Sequence, residues 1–285
     1  MKGLVTALLL SVSMTVFSQT NFQGKAIYQS KTAIDPSFGG RQLSEERKKQ
    51  ILQRMKSMLE KTYVLNFTRS KSIYKEEEKL ETPGASRGFR FGGFAGGGTV
   101  YKDFKVGKIL ESTEFFGKKF LISENKELPK WELGEETKQI GNYTCFKATM
   151  VKKATGFDWR NLRRRERDSK VKRDTSTVKK ETENLEAPKE TLVTAWYTPQ
   201  VPISSGPGNY WGLPGLILEV NEGRTTILCS EIIMNPSEKI EIKEPVKGKK
   251  ITREAYNKVV KEKMEEMRER FRNRRGGNRE GRGFH

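Results

Sequence analysis

Apolar and polar side chains alternate along many short stretches of this chain, the period of a strand that buries one face. Over residues 24–29 the alternation places Ala26 and Tyr28 on one face and Lys25 and Ile27 on the other. Over 63–67 it turns Tyr63, Leu65 and Phe67 inward, with 72–75 as a hairpin partner. Further strands are expected at 99–104, 108–115, 118–123, 143–151, 191–197, 216–221 and 225–233. Turn signals such as Phe116-Gly117 and Asn221-Glu222-Gly223 separate them closely, so the strands should pair as an antiparallel meander.

Two segments change to helical spacing. Ser44 is suited to cap a helix whose first turn carries Glu45 and Glu46, and Ile51, Leu52, Met55, Met58 and Leu59 share one face of it. A second helix is expected from Thr252, with Tyr256, Val260, Met264, Met267 and Phe271 on one stripe. Packing on the sheet is the simpler use of each stripe; a partner-binding face is the other. The fold class expected is mainly β: a curved antiparallel sheet packed on one or two α-helices. It forms a single domain over 20–250, followed by a charged helix and basic tail over 251–285.

Composition adds an uneven picture. The 285 residues carry 55 Lys+Arg against 36 Asp+Glu, a formal charge of +19, with 34% hydrophobic residues. A mean hydropathy of -0.74 excludes a polytopic membrane protein. Three stretches account for the low apolar content: the Gly-rich insertion 83–99, the Arg-rich insertion 152–189, and the tail from 272. Each has too few aliphatic residues to offset the entropy of ordering it, so disorder is expected there.

Residues 1–19 have the pattern of a signal peptide: Lys2, an apolar run over 4–16, then Ser18-Gln19 as a cleavage site. The mature chain should begin near Gln19 or Thr20. No Cys follows the apolar run, so an N-terminal lipid anchor is not expected. No later apolar run reaches the roughly 20 residues of a membrane-spanning helix. The expected location is the periplasm or the outer envelope, with the mature chain soluble.

Catalytic signals are missing. The one histidine is His285, and there is no GxSxG, HExxH, P-loop or paired CxxC. The expectation is a protein without catalytic residues, metal or cofactor. Cys145 and Cys229 each fall in an expected strand, and an exported chain permits their oxidation. A disulfide would close a loop of about 84 residues, worth ~4 kcal/mol in the chain-entropy model. Two separate buried thiols are the alternative. The basic stretches are either solvated charge or a means of attraction to an anionic membrane surface, and no specific nucleic acid is expected.

The densest motif is AWYTPQVPISSGPGNYWGLPGLILEV at 195–220. Trp196 and Tyr197 end a strand, Pro199 and Pro202 break its ladder, and Tyr210 and Trp211 precede the bend at Leu213, Pro214 and Gly215. These aromatics are either anchors that hold a loop to the core or the lip of an apolar pocket. The candidate site is therefore Trp196, Tyr197, Tyr210, Trp211, Leu213 and Pro214.

The run GLPGLI at 212–217, with FFGKKFLI at 115–122, KWEL at 130–133 and TKQIGNYTCFKAT at 137–149, resembles the GLPGLI family of exported bacterial proteins. The likeness covers most of residues 22–243 and implies no catalytic residues. The element order, with a Gly-Leu-Pro turn before a late hairpin, is similar to LolA-like lipoprotein carriers, whose half-barrels shelter acyl chains. That likeness implies a half-barrel sheet and a hydrophobic or lipid ligand. The function expected is an exported envelope protein that binds such a ligand or an envelope partner. The alternative is an interaction protein without a pocket, its basic segments contacting anionic surfaces or an outer-membrane transporter. An apolar cavity would favour the first reading and a filled core the second.

Overall fold

The computed structural model describes residues 22–33, 59–77, 98–125, 128–153 and 190–277, with single positions between 44 and 56. Residues 1–19, where a signal peptide is expected, nearly all of the 83–99 insertion, residues 154–189 and the chain after 277 lie outside the described residues.

Twelve strands make one sheet. They are β1 (Gln23–Thr32), β2 (Glu60–Thr68), β3 (Lys71–Glu76), β4 (Thr99–Asp103), β5 (Lys108–Phe115), β6 (Lys118–Asn125), β7 (Glu132–Ile140), β8 (Tyr143–Lys153), β9 (Glu190–Thr198), β10 (Leu216–Glu222), β11 (Thr225–Met234) and β12 (Lys249–Ile251). One long helix follows, α1 (Arg253–Gly277). The spatial order is β12-β6-β5-β4-β3-β2-β1-β11-β10-β9-β8-β7. Ten of the eleven pairings are antiparallel; β12 runs parallel to β6.

Two strands carry no expectation from the sequence. In β7 every residue but Ile140 is exposed. It is an edge strand, paired only with β8, so neither of its faces has to be apolar and the alternation signal is missing. The other, β12, is three residues long. Two boundaries also move: β8 reaches Lys153, two residues into the Arg-rich stretch that begins at Lys152, and α1 continues past Arg272 to Gly277.

Connectivity requires the sheet to curl. Ten strand-to-strand steps separate β6 from β7 in the spatial order. In a flat sheet that is roughly 48 Å. Yet only residues 126–131 join the two strands. Seven residue steps reach at most about 25 Å. The far strands must therefore approach one another, which gives an open, half-barrel-like sheet.

One apolar cluster joins Ala26, Tyr28, Leu65, Phe67 and Tyr74 of β1–β3 to Leu216 and Leu218 of β10. A second joins Ala148, Val193, Ala195 and Tyr197 of β8 and β9 to Ile217 and Val220 of β10. The β9–β10 connection, residues 199–215, contributes to both: Val201, Ile203 and Trp211 to the first, Tyr210 and Leu213 to the second. On β4–β6, Tyr101, Leu110 and Leu121 form a further cluster under Ile242.

Thr252 starts α1, its hydroxyl accepting from the Ala255 amide and its carbonyl from the Tyr256 amide. Tyr256, Val260 and Met264 then pack on Phe115 and Phe120 of β5 and β6. The Arg253 guanidinium donates to the carboxylates of Glu111 and Glu124, fixing the start of the helix to the same two strands.

Candidate functional site

The aromatic-proline connection is a folded plug. Val201 and Ile203 each accept a short-range backbone bond, from the Ile203 and Ser205 amides at 2.8 and 2.9 Å. The connection then returns on itself through a bridge between Ser205 and Trp211. The amides of Leu216 and Ile217 donate to the Val201 and Ser205 carbonyls at 3.0 and 2.9 Å, so β10 begins bonded to the connection it leaves.

Side chains from distant strands hold this plug. Lys102 of β4 is 1% exposed, and its Nζ donates to the Gly206 carbonyl at 2.9 Å and the Tyr210 carbonyl at 3.0 Å. Ser72 of β3 and Ser205 share a buried hydroxyl bond of 3.0 Å. Trp131, just before β7, donates its indole N–H to the Trp211 carbonyl at 2.8 Å. Phe104 stacks on the Trp211 ring with centroids 6.3 Å apart. The Tyr210 hydroxyl donates to a Glu222 carboxylate oxygen, and Lys152 bonds the other oxygen at 2.7 Å while lying over the Tyr210 ring. Burial, and then the adjacent Glu222 charge, push the Tyr210 phenol well above its ordinary range, so it stays protonated.

The GLPGLI run has a physical reading residue by residue. Gly212 sits at φ +93 with Pro129 against it, where an added Cβ would come within 3.1 Å of the proline Cδ. At Gly215 an added Cβ would lie 2.2 Å from the Thr198 carbonyl oxygen, so only glycine lets the two chains pass. Leu213 is buried between them, Pro214 is exposed, and Leu216 and Ile217 enter the core.

The six candidate residues thus divide. Tyr197, Tyr210, Trp211 and Leu213 are buried, Trp196 is half-buried beneath the Lys138 ammonium, and Pro214 is exposed. Trp211 is 5% exposed, and its indole N–H finds no partner among the described residues. Two hollows of about 580 and 590 Å³ are described on the surface. Lys31, Lys49 and Lys56 line one, Lys25, Lys75 and Glu238 the other, and neither includes a residue of 199–215. Lys102, Ser72 and Trp131 are the functional contacts that sequence reading missed. For Trp131 the signal was present in the KWEL run; for Lys102 and Ser72 there was none.

Cys145 and Cys229 are both buried, with free thiols in this structure. They sit on β8 and β11, with β9 and β10 between them, so they are not neighbours across one ladder. Each thiol bonds a carbonyl of its own strand, Cys145 to Tyr143 and Cys229 to Glu231. Burial first, and then the Glu219 charge, push the Cys145 thiol up to about 11. Burial pushes Cys229 up to about 12. Both are therefore protonated and poorly nucleophilic at neutral pH.

Among the described residues no helix is long and apolar enough to cross a membrane. No curated protein matches the chain. Two solved structures resemble it at 12% identity, both of PNGF-II. The one in space group C2 has a TM-score of 0.45, over 84% of this chain and 32% of that one. The one in space group P21 has a TM-score of 0.42, over 78% and 29%. The chain spans about a third of the length of those proteins or less. Residues 131–219, from Trp131 through β7, β8, β9 and the plug into β10, match the model of a family described as a protein of unknown function, Porph_ging.

Proposed function

We propose that the chain is an exported, non-catalytic envelope protein of the GLPGLI type that works through its outer surface. The observation that carries this reading is the plug: Val201, Ile203, Trp211 and Leu213 are buried against the sheet, and Lys102 is committed to the plug backbone. A carrier of acyl chains, as in LolA-like half-barrels, needs apolar space inside the curve. Here the chain's own side chains take that position. The scaffold is then a rigid platform, and its exposed segments make the contacts.

Purification from the envelope followed by lipid-directed native mass spectrometry, beside displacement of a fluorescent fatty acid, tests the reading. The expected result is protein without stoichiometric lipid and without displacement. One lipid per chain, lost in Trp211→Ala, would restore the carrier reading.

A further inference from the structure

We infer that one corner of the sheet, where the β5–β6 turn meets the edge strand β12, docks on an anionic lipid bilayer surface. This deepens the surface-contact reading and rests on it. The parallel pairing of β12 with β6 sets Lys249 beside Phe120 and Lys250 beside Leu121. Gly248, at φ +125, lies so close that an added Cβ would come within 2.9 Å of the Phe120 carbonyl carbon. Two runs far apart in the sequence, FGKK at 116–119 and VKGKK at 246–250, thereby meet at one corner.

Charge there is one-sided. Over 114–119 and 246–250 the chain has five lysines and one acid, Glu114. All five lysines are exposed. None of them forms an ion pair among the described residues. Elsewhere on the sheet Lys108, Lys138, Lys147 and Lys152 each meet a carboxylate. Gathering like charges costs the fold free energy, and an anionic partner offsets that cost.

Phe116 gives the corner an apolar tip. Its φ of +50 suits glycine or asparagine in a two-residue hairpin turn. The ring meets Phe115 edge-on, with centroids 4.7 Å apart, yet stays 51% exposed. Val246, next to Lys247, is 77% exposed. Apolar tips among ammonium groups match a bilayer interface, which buries the tips while its phosphates meet the cations.

The arrangement of the lysines favours a flat partner. Phe120 packs under α1 and Leu121 under Ile242, on opposite faces of β6. Alternation puts Lys118 on the face of Phe120 and Lys119 on that of Leu121, and the β12 register adds Lys249 to the first and Lys250 to the second. A planar surface met edge-on reaches both sets; a polymer lying along one face reaches one. Single-stranded nucleic acid is held by successive stacked aromatics, and this turn offers Phe116 alone.

The test is co-sedimentation of the full chain with phosphatidylcholine vesicles with and without phosphatidylglycerol. One variant carries Lys118→Gln, Lys119→Gln, Lys249→Gln and Lys250→Gln together. A charge-matched variant removes four exposed lysines elsewhere: Lys75→Gln, Lys105→Gln, Lys130→Gln and Lys239→Gln. A third variant is Phe116→Asn, which fits the turn and removes the ring. At about 100 mM salt, where screening acts over about 10 Å, the wild type should bind only the anionic vesicles. The corner variant should lose about tenfold or more, and the charge-matched variant about twofold or less. Phe116→Asn should bind about threefold or more weakly while unfolding at the wild-type temperature or above.

Equal losses in the two lysine variants would show attraction by net charge alone and overturn the inference. So would no binding by the wild type, or wild-type binding by Phe116→Asn. Tighter binding to single-stranded DNA than to vesicles, with the same dependence on the corner, would assign the surface to nucleic acid instead. None of these outcomes bears on the filled interior, which fatty-acid displacement reads separately.

Discussion

The Tyr28 hydroxyl donates a 2.7 Å hydrogen bond to the Ile217 carbonyl and so ties β1 to β10, two places away in the sheet. The bond is needed because β10 pairs with β11 only from Glu219 to Glu222. Toward its start β10 leaves that partner, and Ile217 turns its carbonyl toward a fully buried tyrosine. Tyr28→Phe should keep the packing and strand this carbonyl, at a cost of about 1–3 kcal/mol. Urea unfolding of the variant measures it; a midpoint equal to the wild type's would mean that the carbonyl is satisfied some other way.

Lys102 does for the plug what Tyr28 does for β10. Lys102→Met fills similar volume but leaves the Gly206 and Tyr210 carbonyls without their donor. A loss of roughly 2–4 kcal/mol is expected. Lys118→Met, on an exposed lysine near the sheet edge, serves as the control and should change little. If the two substitutions behave alike, the buried amine is not holding the plug.

Trp211 separates a core role from a pocket role. Trp211→Ala should cost about 3–5 kcal/mol, the usual range for a large core aromatic. Trp211→Phe should cost much less, under about 1.5 kcal/mol, since it keeps an apolar ring against Phe104 and removes an unpaired indole N–H. Thermal unfolding of the two variants gives the ranking. An alanine variant as stable as the phenylalanine variant would place the ring outside the core.

The buried thiols set an alkaline limit. Cys145 and Cys229 ionise near 11 and 12 when folded. An unfolded thiol ionises near about 8.5. The unfolded state therefore releases these protons first. The stability they contribute is complete below about pH 8.5 and falls as pH rises toward the folded values. Denaturation midpoints between neutral pH and about pH 10.5 should fall, and the fall should be shallower in the Cys145→Ala, Cys229→Ala double variant. Both thiols should also react with a thiol reagent in denaturant without reductant and stay protected in the folded protein; failure to react in denaturant would mean that they are paired.

Much of this architecture is legible in the residues, and the exceptions have physical causes. Tyr63, Leu65 and Phe67 declare an inward face, and Lys108–Phe115 is a strand with the expected bounds. Phe116-Gly117 makes the expected turn, both residues having positive φ. Lys102 is the instructive failure. Charge in an alternating strand reads as the wet face, yet its amine is buried because two loop carbonyls replace water. Those carbonyls come from a segment about a hundred residues later. No local pattern encodes such a pairing. The GLPGLI run was conspicuous, but its reason lies in Pro129 and Thr198, which only the fold brings to Gly212 and Gly215.

Hydrogen exchange at the Ser205, Leu216 and Ile217 amides tests the filled interior most directly. All three donate to carbonyls within the plug. They should exchange as slowly as the β1 amides, and adding fatty acid should leave their rates unchanged. Exchange as fast as in an exposed turn such as 116–117, slowed when fatty acid is added, would contradict a filled half-barrel and reveal a lid over a lipid site.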